Sequence, residues 1–219
     1  MITAPSTRRI AISLTALICT TFSACTNDER EVLTLEQMTQ PTATRLSARA
    51  ADLASGGAQQ MQIGIRKTGR AGTMVREAQR AGFVTWISVD GASLHTRDGL
   101  LHATRGFGAG LMAVDQEQSR RRIFAHADGS TRRFHSYLTG NDQIVTRSYQ
   151  CDIKDRGLRT LTIAGNNIAT RLMAESCTNQ DQQFLNLYWL QSTDNTLIQS
   201  RQWTGSFIGN LTTRLQVMP

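Results

Sequence analysis

Turn-forming residue pairs recur at short intervals along this chain, and they limit the folds open to it more than any other feature. The pairs are Asp90-Gly91, Asp98-Gly99, Asp128-Gly129, Gly140-Asn141, Gly165-Asn166 and Asp194-Asn195. Gly and Asn tolerate positive φ, so such pairs reverse an extended chain within two residues. Their spacing is typical of antiparallel hairpins and predicts an all-β meander.

The segments between these turns have the composition of strands. From Gln60 onward apolar residues alternate with others, first at Met61, Ile63 and Ile65. Further β-prone runs are Phe83–Val89, Arg133–Leu138, Ile144–Ile153, Leu158–Ile163, Ile168–Glu175, Phe184–Leu190, Leu197–Trp203 and Leu211–Met218. Thr73–Arg80 fits either a helical turn or a charged edge strand. We therefore predict one antiparallel β domain over residues 60–219, long enough to enclose a core.

Residues 1–24 have the organisation of a bacterial signal peptide. Arg8 and Arg9 supply positive charge, and Ile10–Phe22 is a run of 13 uncharged residues. A helix of that length spans ~20 Å, against ~30 Å for the hydrocarbon core of a bilayer, so the run suits a cleaved leader. We favour Sec export over the twin-arginine route, because the residues after Arg9 lack the expected pair of large apolar side chains.

The leader ends at Phe22-Ser23-Ala24-Cys25, where two small residues precede a cysteine. This arrangement predicts lipidation at Cys25, with ordinary cleavage nearby as the alternative because Phe22 stands where Leu is usual. Two or more acyl chains at Cys25 would make the anchoring permanent. Thr26 stands where an Asp would retain a lipoprotein at the inner membrane, so we expect the periplasmic face of the outer membrane.

Residues 25–59 differ in composition from the rest and are predicted to be a tether. They are rich in Thr, Ala, Ser and Gln and poor in aromatic residues. Thr44–Leu53 could form one helix with Leu46, Ala50 and Leu53 on one face, ended by Gly56-Gly57. A short helix packed on the β domain and a mobile linker fit the pattern equally well.

The chain carries a formal charge of +7, and removing the leader with its two arginines leaves +5. Nearly all the basic residues are Arg, and they are densest at Arg120–Arg122 and Arg132-Arg133. Nucleic acid is a poor partner for an exported protein. We interpret the first cluster as a solvated loop, with contact to acidic polysaccharide or lipid headgroups as the alternative.

Cys151 and Cys177 are left for pairing once the leader and Cys25 are set aside. An oxidising periplasm favours a disulfide between them, which would stabilise the fold by ~3–4 kcal/mol. Turns predicted at Lys154–Gly157 and Ala164–Asn167 would place one strand between the two cysteines. Two strand spacings, ~9.5 Å, exceed the ~4.4–6.8 Å between Cα atoms in a disulfide, so either Cys177 lies beyond its strand or a turn is misplaced.

Several motifs are more specific than the fold class. In order they are Trp86-x-Ser88-x-Asp90-Gly91, Gly99-Leu100-Leu101-x-Ala103-Thr104-Arg105-Gly106-Phe107-Gly108, Leu111-Met112, Tyr149-x-Cys151, Glu175-x-Cys177, Tyr188-Trp189 and Ser200-Arg201-Gln202-Trp203. With the leader, they resemble the YjbF-type lipoproteins, the group 4 capsule lipoprotein family, from about Gln60 to the end. The resemblance implies an outer-membrane lipoprotein encoded with exopolysaccharide or capsule proteins and folded as a curled antiparallel sheet or half-open barrel.

Trp86, Trp189 and Trp203, with Arg105 and Arg201, are the candidate ligand-binding residues. Aromatic faces stack on sugar rings and Arg binds acidic groups, so a concave sheet face carrying both could hold a glycan chain. The competing interpretation places the tryptophans in the core.

No catalytic motif is visible, whether nucleophile elbow, zinc-protease helix, paired-cysteine zinc set or phosphate-binding loop. The family resemblance supplies no catalytic residue either. His95 and His102 could approach each other across the Asp98-Gly99 turn but lack a third zinc ligand. Glu175 is interpreted as an exposed strand residue, with a glycan-cleaving acid as the alternative. We predict no catalytic residue, metal or cofactor.

The leading functional hypothesis is a non-enzymatic accessory in exopolysaccharide or capsule assembly or export. Its expected partners are the outer membrane, through the lipid, together with polysaccharide and other export proteins. Two alternatives stay open. A half-open barrel with an apolar inner face could carry lipids or lipoproteins across the periplasm, and a glycan-processing enzyme would depend on Glu175.

Overall fold

The computed structural model describes residues 48–141 and 143–216. The predicted leader, the lipidation site Cys25, most of the tether and the last residues of the chain lie outside the described residues, so those predictions stay predictions. Neither α-helix in the described part has both the length and the apolar character needed to cross a membrane.

The described chain is built almost entirely of strands, which confirms the predicted all-β class. The elements are α1 Ala48–Ser55, β1 Gln60–Ile65, β2 Arg70–Arg80, β3 Phe83–Ser88, β4 Ser93–Arg97, β5 Leu100–Arg105, β6 Leu111–Asp115, α2 Glu117–Phe124, β7 Gly129–Leu138, β8 Ile144–Ile163, β9 Asn166–Thr178, β10 Gln183–Gln191, β11 Leu197–Trp203 and β12 Asn210–Leu215. A single 3-10 turn, Arg66–Thr68, joins β1 to β2.

All twelve strands belong to one antiparallel sheet with the order β5-β4-β3-β2-β1-β12-β11-β10-β9-β8-β7-β6. Strands that follow one another in sequence are neighbours, except that β5 and β6 are the two edges. β1 and β12 pair in the middle of this order, where Ile63 lies opposite Thr213, and join the two ends of the described chain. The sheet curls into a nearly closed, barrel-like form whose gap lies between the edges β5 and β6.

Side-chain amides satisfy part of the free edge of β5. Gln202 of β11 accepts a hydrogen bond from the Leu101 N–H at 2.8 Å and donates to the Gly99 carbonyl at 3.2 Å. Gln116, which follows β6, donates to the Leu101 carbonyl at 2.7 Å. We call this set of contacts the glutamine seam. It holds β5 against the inner side of β11 where strand pairing ends.

Buried apolar side chains fill the space that the sheet encloses. The largest cluster includes Trp86, Leu94 and Leu101 and collects side chains from β1–β6 and β12. Another, around Ile123 and Tyr188, packs α2 and β5 against β8–β11. Each large apolar side chain contributes ~1.5–3 kcal/mol when fully buried. The interior is therefore packed with side chains.

The predicted turn at Lys154–Gly157 is wrong, because β8 runs straight through it. The segment forms a bulge between Asp155 and Leu158. Gly157 has a φ of 77° and donates its N–H to Asp155 Oδ1 at 2.8 Å. The residues on both sides continue to pair with β9, so this turn-like geometry bends the strand without reversing it.

The disulfide between Cys151 and Cys177 is confirmed. Because β8 is unbroken, β8 and β9 are adjacent and the two cysteines lie directly opposite each other, with Cα atoms 4.0 Å apart. The intervening strand that the sequence suggested does not exist.

Two other local predictions need correction, and one open choice is resolved. The helix predicted at Thr44–Leu53 continues to Ser55, and its first described residue is Ala48. Thr73–Arg80 is a strand, as one of the two alternatives had it, but it is part of β2, which pairs on both sides and is no edge. Arg120–Arg122 lies in helix α2 and not in a solvated loop. This helix forms because its buried side chains are one turn apart and Glu117 pairs with arginines three and four residues later.

Candidate functional site

Charged and polar side chains are buried against the inner face of β7–β10, and we call them the Arg133 cluster. The members are Arg133, Glu175, Asn186, Tyr188 and Gln116. Arg133 pairs with Glu175 through Nη1, which also donates to the Tyr188 hydroxyl at 3.0 Å. Its Nη2 donates to Gln116 Oε1 at 2.6 Å. Glu175 Oε2 also accepts from Tyr188 at 2.7 Å and from Asn186 Nδ2 at 2.9 Å.

The strand register brings these residues together. Directly opposed residues in neighbouring strands point to the same face. Glu175 of β9 lies opposite Asn186 of β10, and Tyr188 lies opposite Met173, two residues before Glu175. Arg133 reaches this group from β7, across β8.

Attraction within the Arg133 cluster outweighs the effect of burial on its ion pair. Burial alone would raise the pKa of Glu175, but the Arg133 charge and side-chain hydrogen bonds lower it below the ordinary value. Burial also opposes the charge on Arg133, whose pKa the Glu175 carboxylate nevertheless raises. Burial raises the pKa of Tyr188, which stays a neutral donor. The cluster therefore holds one cation and one anion out of water.

The interpretation of Glu175 as an exposed strand residue is wrong, since its exposed fraction is 0%. A glycan-cleaving general acid must be protonated near neutral pH and must reach the substrate. Glu175 is ionised and enclosed. Its carboxylate lies within 4.8 Å of the sulfur atoms of Cys151 and Cys177. In the described part of the chain, these three side chains are the one group of potential metal ligands that lie this close together. Those sulfur atoms are joined in a disulfide and offer no thiolate to a metal.

A set of aromatic side chains in mutual contact extends from the disulfide, and Tyr149, Phe184 and Trp203 pack in the same cluster as the two cysteines. The set consists of His135, Tyr137, Tyr149, Phe184 and Trp203. The Phe184 and Trp203 rings stack with centroids 5.5 Å apart, and Phe184 meets Tyr149 edge-on at 4.9 Å. Burial, together with the Arg133 charge, lowers the pKa of His135 well below its ordinary value. The imidazole is therefore a neutral member of an aromatic core.

The five candidate ligand-binding residues lie in different parts of the sheet. Trp86 is buried in the largest core cluster and donates from Nε1 to Thr96 Oγ1 at 3.0 Å. Trp189 and Arg201 are both buried and share one face of β10 and β11, because Arg201 lies opposite Leu187, two residues before Trp189.

The remaining two candidates lie elsewhere. Trp203 is half-buried beside the disulfide, and Arg105 is exposed at the end of β5. The structure thus brings two of the five together. Ligand binding by these residues stays a prediction.

His95 and His102 stand on neighbouring strands and have separate neighbours. His95 Nδ1 lies 3.3 Å from Thr85 Oγ1, while the His102 ring contacts Phe83 edge-on at 5.1 Å. Burial, followed by the Arg105 charge, lowers the pKa of His95.

Two of the cavities on the described surface have mixed linings. One of about 380 Å³ is lined by residues that include Gln59, Arg76, Gln191 and Leu215. The other, of about 200 Å³, lies between Phe83 of β3 and the start of α2. Both have polar and charged side chains in their walls, which does not suit a long acyl chain.

The sequence did not reveal the Arg133 cluster because β7 carries an inverted pattern. Arg133 and His135 point inward and are buried, whereas the apolar Phe134 points outward and is 38% exposed. Simple alternation would place Phe134 in the core. The one available signal was the Glu175-x-Cys177 spacing, which puts the acid on the same face as the disulfide.

Comparison with known proteins gives three findings. The family model described as "Group 4 capsule polysaccharide lipoprotein gfcB, YjbF" matches residues 25–215. The chain is 28% identical, over 125 residues, to an uncharacterized lipoprotein GfcB of Escherichia coli K12. That match covers 55% of this chain and spans 58% of the relative's length.

The third finding concerns the fold. The crystal structure of the hypothetical lipoprotein YmcC from Escherichia coli K12 superposes with a TM-score of 0.65 at 22% identity. The superposition covers 73% of this chain and 86% of the other. At this level of identity the likeness establishes a shared architecture.

Proposed function

The chain belongs to the YjbF family of group 4 capsule polysaccharide lipoproteins, and we propose that it is a non-enzymatic accessory in the assembly or export of an exopolysaccharide or capsule. In this proposal, lipid at Cys25 holds it at the periplasmic face of the outer membrane. The match over residues 25–215 carries the proposal. Membership of a lipoprotein family makes it an envelope protein anchored to a membrane.

The state of Glu175 supports a non-enzymatic role. The acid that a glycan-processing enzyme would need is buried, ionised and bonded to Arg133. The packed interior likewise gives little support to the lipid or lipoprotein carrier. An acyl chain inside the sheet would have to displace the clusters around Trp86 and Tyr188.

Gene deletion in a strain that makes the polymer tests the accessory role. We expect surface polymer to fall, a wild-type copy to restore it, and a Cys25→Ser copy that is still exported to fail. Unchanged polymer secretion under producing conditions would contradict the proposal. If a Cys25→Ser copy restores secretion, the lipid anchor is not required for the proposed role.

A second experiment addresses enzymatic activity directly. Purified wild-type protein is incubated with the isolated polymer, and chain length is followed by size-exclusion chromatography. We expect the length distribution to stay constant. Shortened chains that also appear with a heat-denatured sample would indicate hydrolysis that needs no folded protein, whereas shortening by the folded protein alone would favour the glycan-processing alternative.

A further inference from the structure

The two ends of the barrel-like sheet differ in their connections. Successive strands run in opposite directions, so every second connection lies at the same end. The connections β1–β2, β3–β4, β5–β6, β7–β8, β9–β10 and β11–β12 form what we call the loop end. Ser206 in the last of these accepts from Lys67 Nζ at 2.8 Å through its carbonyl and from Gln182 Nε2 at 2.6 Å through its hydroxyl. These contacts tie three of the connections together.

Exposed apolar side chains are concentrated at the loop end. Five of the eight exposed large apolar residues in the described chain are there: Met112, Leu138, Ile144, Val145 and Phe207. Phe207 lies over Gly108 of the β5–β6 connection, where a Cβ would come within 2.2 Å of Phe207 Cε1. Tyr137, which lies opposite Val145, similarly occupies the space beside Gly205. The apolar side chains are thus held on loops that contact one another.

The charges at the two ends differ as well. At the loop end, the basic residues in or next to the connections are Arg66, Lys67, Arg70 and Arg105, and the described acids are Asp181 and Asp90, which pairs with Arg70 at 3.8 Å. The opposite end, around α2, carries charges of both signs in mutual contact. Examples are Arg120 with Asp98 at 3.0 Å and Lys154 with Asp128 at 3.2 Å. The loop end therefore combines exposed apolar side chains with an excess of basic over acidic described residues, whereas the other end is polar, with most of its charges in ion pairs.

We infer that the loop end rests on the anionic surface of the membrane to which the chain is anchored, with Phe207, Leu138, Ile144 and Val145 in the headgroup region. Apolar side chains ringed by basic ones bind such an interface, because the apolar groups leave water while the cations meet anionic headgroups. This inference rests on anchoring to a membrane and not on the proposed role in polymer export.

The length of chain before α1 permits this orientation. α1 leads into β1 from the end opposite the loop end. Between Cys25 and Ala48 there are 22 residues, which reach at most ~75 Å when extended. A strand of ten residues spans only ~33 Å. The lipid attachment point can therefore lie beside the loop end even though the described chain begins at the other.

Tryptophan quenching in the full-length lipidated protein tests the orientation. Phe207→Trp and Leu158→Trp replace side chains of similar exposure, 61% and 65%, at opposite ends of the sheet. Each protein is placed in phosphatidylethanolamine–phosphatidylglycerol vesicles containing nitroxide-labelled lipid, and the parent fluorescence is subtracted. We expect the added fluorescence to be lost for Phe207→Trp and retained for Leu158→Trp. Equal quenching at both sites, or quenching at Leu158→Trp alone, would overturn the inference.

A second measurement removes the lipid as a source of binding. Full-length mature chain with Cys25→Ser is sedimented with vesicles of phosphatidylglycerol or phosphatidylcholine. Binding should be stronger to the anionic vesicles, weaken with salt, and be lost in Phe207→Asp and Ile144→Asp but not in Leu158→Asp. If Phe207→Asp impairs polymer export while neither quenching nor sedimentation responds, the loop end docks a protein instead and the inference fails.

Discussion

The buried ion pair of Arg133 and Glu175 is the single-residue feature with the largest consequence for stability. Taking two charges out of water is costly, and their attraction offsets that cost only while both are present. Tyr188 and Asn186 donate hydrogen bonds to the same carboxylate oxygen that meets Arg133. Removing one partner leaves the other charge buried without a counter-ion.

We expect Glu175→Gln to lower the free energy of unfolding by ~3–5 kcal/mol, because it strands the Arg133 charge in the interior. Urea unfolding monitored by circular dichroism measures the change. Glu77→Gln is the matched control, since Glu77 pairs with the exposed Arg49 and its loss should change stability little. If both substitutions lower the free energy of unfolding equally, breaking the buried pair costs no more than breaking a surface pair.

His135 makes stability depend on pH just below neutrality. Its folded-state pKa is lowered, first by burial and then by the Arg133 charge. As the pH falls through about 6.5, His135 binds a proton in the unfolded chain but not in the folded chain. The free energy of unfolding is therefore highest above that pH and falls below it. His95 contributes in the same direction. Glu175, an acid with a lowered pKa, loses its contribution only at lower pH.

His135→Phe should accordingly flatten the fall in stability between about pH 6.5 and pH 5, where His side chains titrate. Urea unfolding midpoints at several pH values provide the measurement. The parent protein should lose stability across this range and the variant should lose clearly less. A variant with the slope of the parent would mean that His135 takes up its proton without cost in the folded state.

At the scale of elements, three of the hairpins turn through a pair of residues with positive φ. Asp98-Gly99 has φ values of 52° and 83°, as the turn signal predicts. Ala81-Gly82 and Ala164-Gly165 have almost the same values, 51° and 81°, and 50° and 81°. Ala is strained there because its Cβ approaches the carbonyl oxygen. Two tight turns thus lack the residue best suited to their first position.

We expect Ala164→Asn to stabilise the protein by about 0.5 kcal/mol, because Asn adopts positive φ more readily than Ala. Thermal melting should show a higher transition temperature. Ala169→Asn, at an exposed position of β9, is the control and should give no gain, since Asn is disfavoured in strands. A lower melting temperature for Ala164→Asn would contradict the strain argument.

On the scale of the whole molecule, closure of the sheet depends on two different devices. The pairing of β1 with β12 joins distant parts of the chain by backbone hydrogen bonds. At the β5 edge the glutamine seam takes over, with Gln202 and Gln116 bonded to the backbone of Leu101. Strands held on one side by side chains alone should open more readily than strands paired on both sides.

Gln202→Leu should therefore speed hydrogen exchange at the Leu101 amide by about tenfold or more, since an unpaired buried donor costs ~1–3 kcal/mol. Amide exchange followed by NMR resolves the site. Gln199→Leu serves as the control, because Gln199 accepts from the Arg214 side chain and does not touch β5. If the Leu101 amide exchanges at the same rate in Gln202→Leu, the glutamine seam does not hold β5 in place.

Helix α2 and the β8 bulge show where local patterns were insufficient. The pattern in Glu117–Phe124 offers few apolar residues, and its helix is stabilised by packing Ile123 against strands more distant in sequence. The Lys154–Gly157 segment has turn-like residues, but pairing with β9 on both sides keeps β8 continuous. In both segments long-range contacts outweigh local preference.

The sequence by itself determined the antiparallel all-β class, most strand positions and the disulfide partners. Alternation and positive-φ turn pairs act within a few residues of each other, and two cysteines leave one intramolecular pairing. Only the tertiary structure decided that β1 meets β12, that β8 does not turn back, and that Arg133 lies inside while Phe134 lies outside. Those outcomes depend on which residues, distant in sequence, lie opposite one another in the sheet. Arg133 in particular can be buried only because Glu175, from another strand, lies beside it.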